Sequence, residues 1–115
     1  MKQSVEQFYE ELADCLQRYL PGGETEVIEM NMLRLKVRIY IAVSFFMDVF
    51  YAVRTQKISF ALVQKGKRIF GIDDLDGWHF HPFGKPEDHV QMTEPSIESM
   101  VMQCTRVIRE LDRKQ

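Results

Sequence analysis

All three histidines of the chain lie within eleven residues, at His79, His81 and His89. Three aspartates come just before this group, at Asp73, Asp74 and Asp76. Imidazoles and carboxylates are the side chains that transfer protons or hold metal ions near neutral pH. If the protein performs chemistry, segment 73–89 is therefore the first candidate for its site.

The spacing of His79 and His81 places both side chains on the same side of a strand. Such a pair fits acid–base catalysis or RNA contact, and with His89 or a carboxylate it also fits a shared metal ion. A third interpretation is structural, with the imidazoles bonded to the backbone and carboxylates of a long loop. The chain has neither a His-Glu-x-x-His helix nor paired cysteines, so we expect no metal or other cofactor.

Basic residues occupy alternate positions of a predicted strand and form a basic stripe of Arg34, Lys36 and Arg38. This stripe could follow a phosphate backbone while Tyr40 stacks on a base. It could equally be the solvated face of a sheet, or it could pair with acidic residues of a partner. Trp78 is predicted to pack on the sheet or to stack on a base.

Composition describes an ordinary globular chain of 115 residues with a net charge of −2, for which we expect a single domain spanning 1–115. The charge argues against nonspecific nucleic-acid binding by the whole surface. No apolar run is long enough to cross a membrane, and no signal core precedes the domain, so we expect a cytoplasmic location. Cys15 and Cys104 are expected to be buried free thiols.

Periodicity indicates how the site is positioned. Apolar residues recur at helical spacing over 3–20, where Ser4 and Gln7 have the spacing of a capping box. A second helix is predicted to open at Thr93-Glu-Pro-Ser, with Thr93 as the N-cap candidate ahead of a proline in the first turn. The middle of the chain alternates as strands do, and Gly66 predicts a hairpin turn at 64–67. The alternation changes phase near residue 32, which predicts a bulge or a strand break. Short links favour antiparallel neighbours. We therefore predict an α+β domain in which an N-terminal helix, a meander of four or five antiparallel strands and a C-terminal helix follow in order, with both helices on one face.

Two further expectations concern the edges of this sheet. Segment 33–43 is expected to be an exposed edge that pairs with a second copy, which makes a homodimer the default state. Segment 73–92 is expected to be a long connection, and connections of that length are often functional.

Four runs of the chain resemble a family of small prokaryotic proteins related to the TumE-type toxins of toxin–antitoxin modules. They are Asp-Val-Phe-Tyr at 48–51, Ser-Phe-Ala-Leu at 59–62, Gly-Lys-Arg-Ile-Phe-Gly-Ile-Asp-Asp at 66–74 and Gly-Trp-His-Phe-His-Pro-Phe at 77–83. The likeness covers about 34–90. It implies a small intracellular toxin that acts on RNA and is neutralised by a cognate antitoxin.

The resemblance also implies a metal-independent ribonuclease mechanism. His79 or His81 would take the 2′-hydroxyl proton and another imidazole would protonate the leaving oxygen. Arg68 or Lys67 would stabilise the phosphorane-like charge, and Asp73 completes the candidate catalytic set. Two alternatives remain, namely a non-enzymatic module whose histidine loop binds a protein partner, and a metal-dependent hydrolase with His79, His81 and His89 as ligands.

Overall fold

A seven-stranded antiparallel sheet, with its strands side by side in chain order, forms the centre of the part of the protein that the structure describes. The structure is a computed structural model and describes residues 3–113. The elements are α1 (Val5–Tyr19), β1 (Glu24–Met30), β2 (Arg34–Ala42), β3 (Phe45–Ala52), β4 (Lys57–Gln64), β5 (Lys67–Asp73), β6 (His79–His81), β7 (Val90–Gln91) and α2 (Ile97–Arg113). The predicted α+β class and the meander are confirmed.

The predicted strand number of four or five was too low. The additional strands are β6 and β7, which lie inside segment 73–92, where we expected only a long connection. Strands of three and two residues are too short to produce a readable alternation. They nevertheless extend the sheet, so the histidine segment is held by β5 on one side and β7 on the other.

The break predicted near residue 32 is present between β1 and β2. The Asn31 side chain accepts hydrogen bonds from the backbone N–H groups of Leu33 and Arg34, both at 2.9 Å, and so turns the chain. β1 then pairs with β2, which also pairs with β3. The prediction of an edge at 33–43 was therefore wrong, because β1 occupies that edge.

Side-chain caps fix the start of each helix. At α1, Ser4 and Gln7 form a capping box, as their spacing predicts. At α2 the backbone N–H of Ser99 donates to the hydroxyl of Ser96 at 3.0 Å. The second helix thus begins after Ser96 and not at Thr93, because a residue that precedes a proline disfavours helical backbone.

One face of the sheet carries the core, and both helices pack on it. Strand register places Val37, Val49, Phe60 and Ile72 in one cross-strand row, and all four are fully buried. Phe8 of α1 stacks on the buried ring of Tyr51, and the inner faces of both helices complete the same apolar cluster. The predicted placement of both helices on one face is confirmed.

The inner faces of the helices also carry the two cysteines. Cys15 and Cys104 are both free and buried, as predicted. Burial raises the pKa of the Cys104 thiol to about 12. No helix within residues 3–113 is long and apolar enough to span a membrane.

Neither helix of residues 3–113 packs on the opposite face, and the register places the candidate site there. One cross-strand row runs through Phe50, Ser59, Asp73 and His79. The next row runs through Asp48, Ala61, Gly71 and His81. The sheet therefore brings Asp73 and both strand histidines together on its helix-free face.

Candidate functional site

Asp73 lies between the two histidines of β6. Its Oδ1 is 3.1 Å from Nε2 of His79, and its Oδ2 is 3.2 Å from Nε2 of His81. Oδ1 also accepts a hydrogen bond from the backbone N–H of Leu75 at 3.0 Å, which fixes the carboxylate. Two imidazoles thus face one carboxylate from the neighbouring strand, an arrangement that the spacing of the residues did not specify.

Backbone carbonyls hold the other nitrogen of each ring. Nδ1 of His79 is 3.0 Å from the carbonyl oxygen of Gly77, and Nδ1 of His81 is 3.1 Å from that of Pro86. The carbonyl at Nδ1 and the Asp73 carboxylate at Nε2 both only accept, so a neutral ring donates to one of the two and a doubly protonated ring donates to both. Both nitrogens of each buried ring therefore lie against a protein acceptor.

Arg68 makes a contact that competes with one of these bonds. Its Nη2 lies 3.3 Å from Nδ1 of His81, and a ring nitrogen cannot donate to Pro86 and accept from Arg68 at once. Two arrangements of the His81 proton are therefore possible. In the first, Nδ1 donates to the Pro86 carbonyl; in the second, Nδ1 accepts from Arg68 and Nε2 donates to Asp73.

Burial distinguishes His89 from the other two histidines. His79 and His81 are 7% and 2% exposed, but His89 is exposed to solvent. The His89 ring stacks on His79 with centroids 4.8 Å apart and meets His81 edge-on at 4.5 Å. The three rings therefore converge and form one cluster with Asp73. Within this cluster, His89 lies on the side that a substrate can reach.

Sequence reasoning missed Gly71, which lies opposite His81 on β5. A Cβ at this position would come within 3.4 Å of Cδ2 of His81 and 3.2 Å of Cδ of Arg68. The absence of a side chain thus leaves open a space that Arg68 and the buried imidazole both border. The available signal was a glycine inside a strand, which often marks such a close approach.

The β4–β5 hairpin delivers only one of the two predicted cations to the cluster. Lys65 and Gly66 both have positive φ, the pattern of a tight hairpin turn, as the glycine predicted. Arg68 pairs with Val63 and points to the helix-free face beside His81. Lys67 pairs with Gln64, and in this register its side chain leaves the strand on the face that the helices cover.

The predicted RNA-binding stripe is mostly engaged in contacts within the chain. Arg38 donates two hydrogen bonds to Asp48, at 2.8 and 3.1 Å, and its guanidinium lies 3.9 Å from the Phe46 ring centroid. These hydrogen bonds to Asp48 raise the pKa of Arg38. Two more pairs complete the pattern, Arg34 with Glu29 and Tyr40 with Glu26. Lys36 is exposed, and the stripe lies on β2, four strands or roughly 19 Å from the histidines of β6.

One cavity is lined by histidines and a second by Asp73, and Leu75 lines both. The larger, of about 440 Å³, is lined by Trp78, His79 and His89 among others. The smaller, of about 230 Å³, lies between Phe50 and Asp73. Trp78 is partly buried against the core, as predicted, and also forms a wall of the larger cavity.

Comparison of the chain with protein-family models, curated proteins and solved structures gives no match. The resemblance to TumE-type toxins therefore stays a prediction, and any function has to be argued from the geometry.

Proposed function

We propose that the chain is a toxin-like protein that cleaves RNA at the cluster of Asp73, His79, His81 and His89. The observation that carries the proposal is the convergence of three imidazoles and a carboxylate on the helix-free face, with one ring exposed. Groups that activate an oxygen nucleophile and protonate a leaving oxygen are of this type. In this proposal His89 is the imidazole that meets the substrate.

The two cavities support a linear, aromatic substrate. Phe50 lines one cavity and Trp78 the other, and Leu75 lines both. Single-stranded RNA binds proteins by stacking successive bases on aromatic side chains. A strand that crosses Leu75 would place one base against each aromatic ring and the intervening phosphate next to the histidines.

In this proposal Arg68 stabilises the negative charge of the RNA phosphate. Its guanidinium lies at the rim of the cluster beside His81, on the same face. A positioned cation stabilises the negative charge that develops on phosphate oxygens during cleavage. Lys57, which lines the smaller cavity, is a second cation within reach of a bound strand.

The experiment uses a fluorescent single-stranded RNA and growth of a prokaryotic host that expresses the chain. We expect the wild type to cleave the RNA and slow growth, and His89→Ala to lose both effects. Asp14→Asn on the outer face of α1 is the matched control and should retain both. Because His89 is exposed, its loss should not unfold the protein. Full cleavage and growth inhibition by His89→Ala, or no cleavage by the wild type, would contradict the proposal.

A second candidate function, a protein-binding module, is favoured by β1. This edge strand and the turn after it expose five large apolar side chains: Val27, Ile28, Met30, Met32 and Leu33. Edge strands with such side chains accept a further strand from another chain. The partner would be a cognate antitoxin or a second copy of this chain, which retains the predicted homodimer but moves its interface to β1.

Light scattering of the purified chain, alone and mixed with the product of the neighbouring gene, tests this candidate. A dimer or a stoichiometric complex that Val27→Lys abolishes would support it, because a buried charge at the edge opposes pairing. If the chain is a monomer and does not bind the product of the neighbouring gene, this second candidate function is wrong.

A further inference from the structure

We propose that Asp73, His79 and His81 bind one divalent transition-metal ion, with the bond lengths and geometry of Zn²⁺ as the reference. His89 then faces the side of the ion that has no protein ligand, which is called its open side. The inference deepens the proposed RNA cleavage and rests on the same site. Its test measures metal binding directly, so the two proposals can fail separately.

The first argument is distance. Nε2 of His79 and Nε2 of His81 lie 3.1 and 3.2 Å from the two oxygens of Asp73. Two ligand atoms of one tetrahedral Zn²⁺, with bonds of about 2.0–2.1 Å, lie roughly 3.3 Å apart. The nitrogens and the carboxylate already have the separation of neighbouring ligands. One ring nitrogen from each of His79, His81 and His89 lies within 4.8 Å of the other two.

The second argument is the orientation of the rings. Histidines that ligate metals almost always donate their other N–H to a carbonyl or carboxylate, which fixes the tautomer. The Gly77 and Pro86 carbonyls occupy this position at Nδ1 of His79 and Nδ1 of His81. In neutral rings that donate to these carbonyls, both Nε2 lone pairs are directed at Asp73.

The third argument is charge. A lone pair that faces a carboxylate oxygen at 3.1 Å is repelled unless a cation lies between them. Protonating both rings would remove the repulsion, but it would put two buried cations with ring centroids 4.9 Å apart against a single carboxylate. One divalent ion coordinated by both nitrogens and by Asp73 satisfies all three groups together.

The fourth argument is rigidity together with access. Asp73 and His79 are paired residues on adjacent strands, so their backbone positions are fixed by the sheet. Catalytic metal sites hold the ion with three protein ligands and keep a further position open for water or substrate. Two imidazoles and one carboxylate form such a set, and the exposed ring of His89 marks the solvent side.

The contact between Arg68 and His81 defines the competing arrangement. If Arg68 donates to Nδ1 of His81, then Nε2 of His81 carries the proton and donates to Asp73. That arrangement needs no ion and gives a hydrogen-bonded Asp73–His81–Arg68 chain. It predicts that the protein does not bind transition metals tightly.

The test uses the full chain, purified without a histidine tag and treated with a chelator. Calorimetric titration with ZnCl₂, with MnCl₂ and NiCl₂ as parallel probes, should show one ion per chain, and elemental analysis after gel filtration should show that it is retained. Asp73→Asn and His81→Gln should each weaken binding more than about 100-fold, beyond the usual effect of outer-shell changes. Asp14→Asn, at an exposed carboxylate on α1, is the matched control and should bind as the wild type does.

Several results would overturn the inference. If the folded wild type does not bind a metal ion stoichiometrically, that result would support the metal-free hydrogen-bonded arrangement of Asp73, His81 and Arg68. Unchanged binding in both Asp73→Asn and His81→Gln would place the ion elsewhere. His89→Ala should retain one ion per chain, so a loss as large as that in His81→Gln would overturn the assignment of His89 to the open side. Thermal unfolding with and without ZnCl₂ shows that each variant folds, because an ion that binds the folded chain raises Tm.

Discussion

Gly71 and His81 lie opposite each other on β5 and β6, and a Cβ at Gly71 would lie 3.4 Å from Cδ2 of the His81 ring. The same Cβ would lie 3.2 Å from Cδ of Arg68 and 3.4 Å from the Phe60 carbonyl oxygen. A side chain at this position would therefore press on Arg68 first and would contact the imidazole.

We expect Gly71→Ala to change the site more than the fold. Alanine suits a strand better than glycine does, which offsets part of the steric cost and should keep the change in unfolding free energy within about 1 kcal/mol. The new methyl group should press on Arg68 and the His81 ring, and the resulting shift of the ring should lower Zn²⁺ affinity by up to about tenfold, the size of effect seen for groups that position ligands. Calorimetric titration measures the affinity, and the NMR signals of the His81 ring report its movement.

Gly22→Ala provides the control for this change, since a Cβ at Gly22 meets no atom within 4 Å. It should leave metal affinity and the His81 signals as in the wild type. Unaltered affinity in Gly71→Ala would show that Gly71 does not position the ring.

The sequence predicted part of this site because part of it is local. The spacing of His79 and His81 on a strand determines that both point to the same side. The contacts of Asp73 and Gly71 depend on the register between β5 and β6, and that register is set by tertiary packing over strands of a few residues. For the same reason the sequence indicated the helices and long strands of the fold but not β6 and β7.

The N-terminus of α2 is a second place where the local sequence pattern and the folded structure indicate different residues. The pattern Thr93-Glu-Pro-Ser predicted a cap at Thr93, whereas the structure places it at Ser96. We expect Ser96→Ala to lower the free energy of unfolding by about 1 kcal/mol, the usual cost of a lost cap. Thr93→Ala should change it by less than about 0.5 kcal/mol. Urea denaturation of both variants measures the difference, and equal losses would contradict the assigned cap.

Arg38 and Asp48 form the cross-strand pair that removes Arg38 from the predicted RNA-binding stripe. The pair is bidentate, and the guanidinium also lies over the Phe46 ring, so it should be coupled more strongly than an ordinary surface pair. A double-mutant cycle with Arg38→Ala and Asp48→Ala should give a coupling of about 0.5–1 kcal/mol that falls in 1 M NaCl. A coupling near zero at low salt would mean that the pair does not hold Arg38 in place.

Burial of Cys104 should make stability depend on pH at the alkaline end. Its pKa rises from 9.0 to about 12 on folding, so the folded chain holds the thiol proton more tightly than the unfolded chain. The resulting stabilisation is fully present below about pH 9 and is lost as the pH rises from 9 toward 12. The difference in unfolding free energy between the wild type and Cys104→Ala should therefore shrink over this range. Met102→Ala, a change at a half-buried side chain that does not titrate, should differ from the wild type by a constant amount in the same urea titrations.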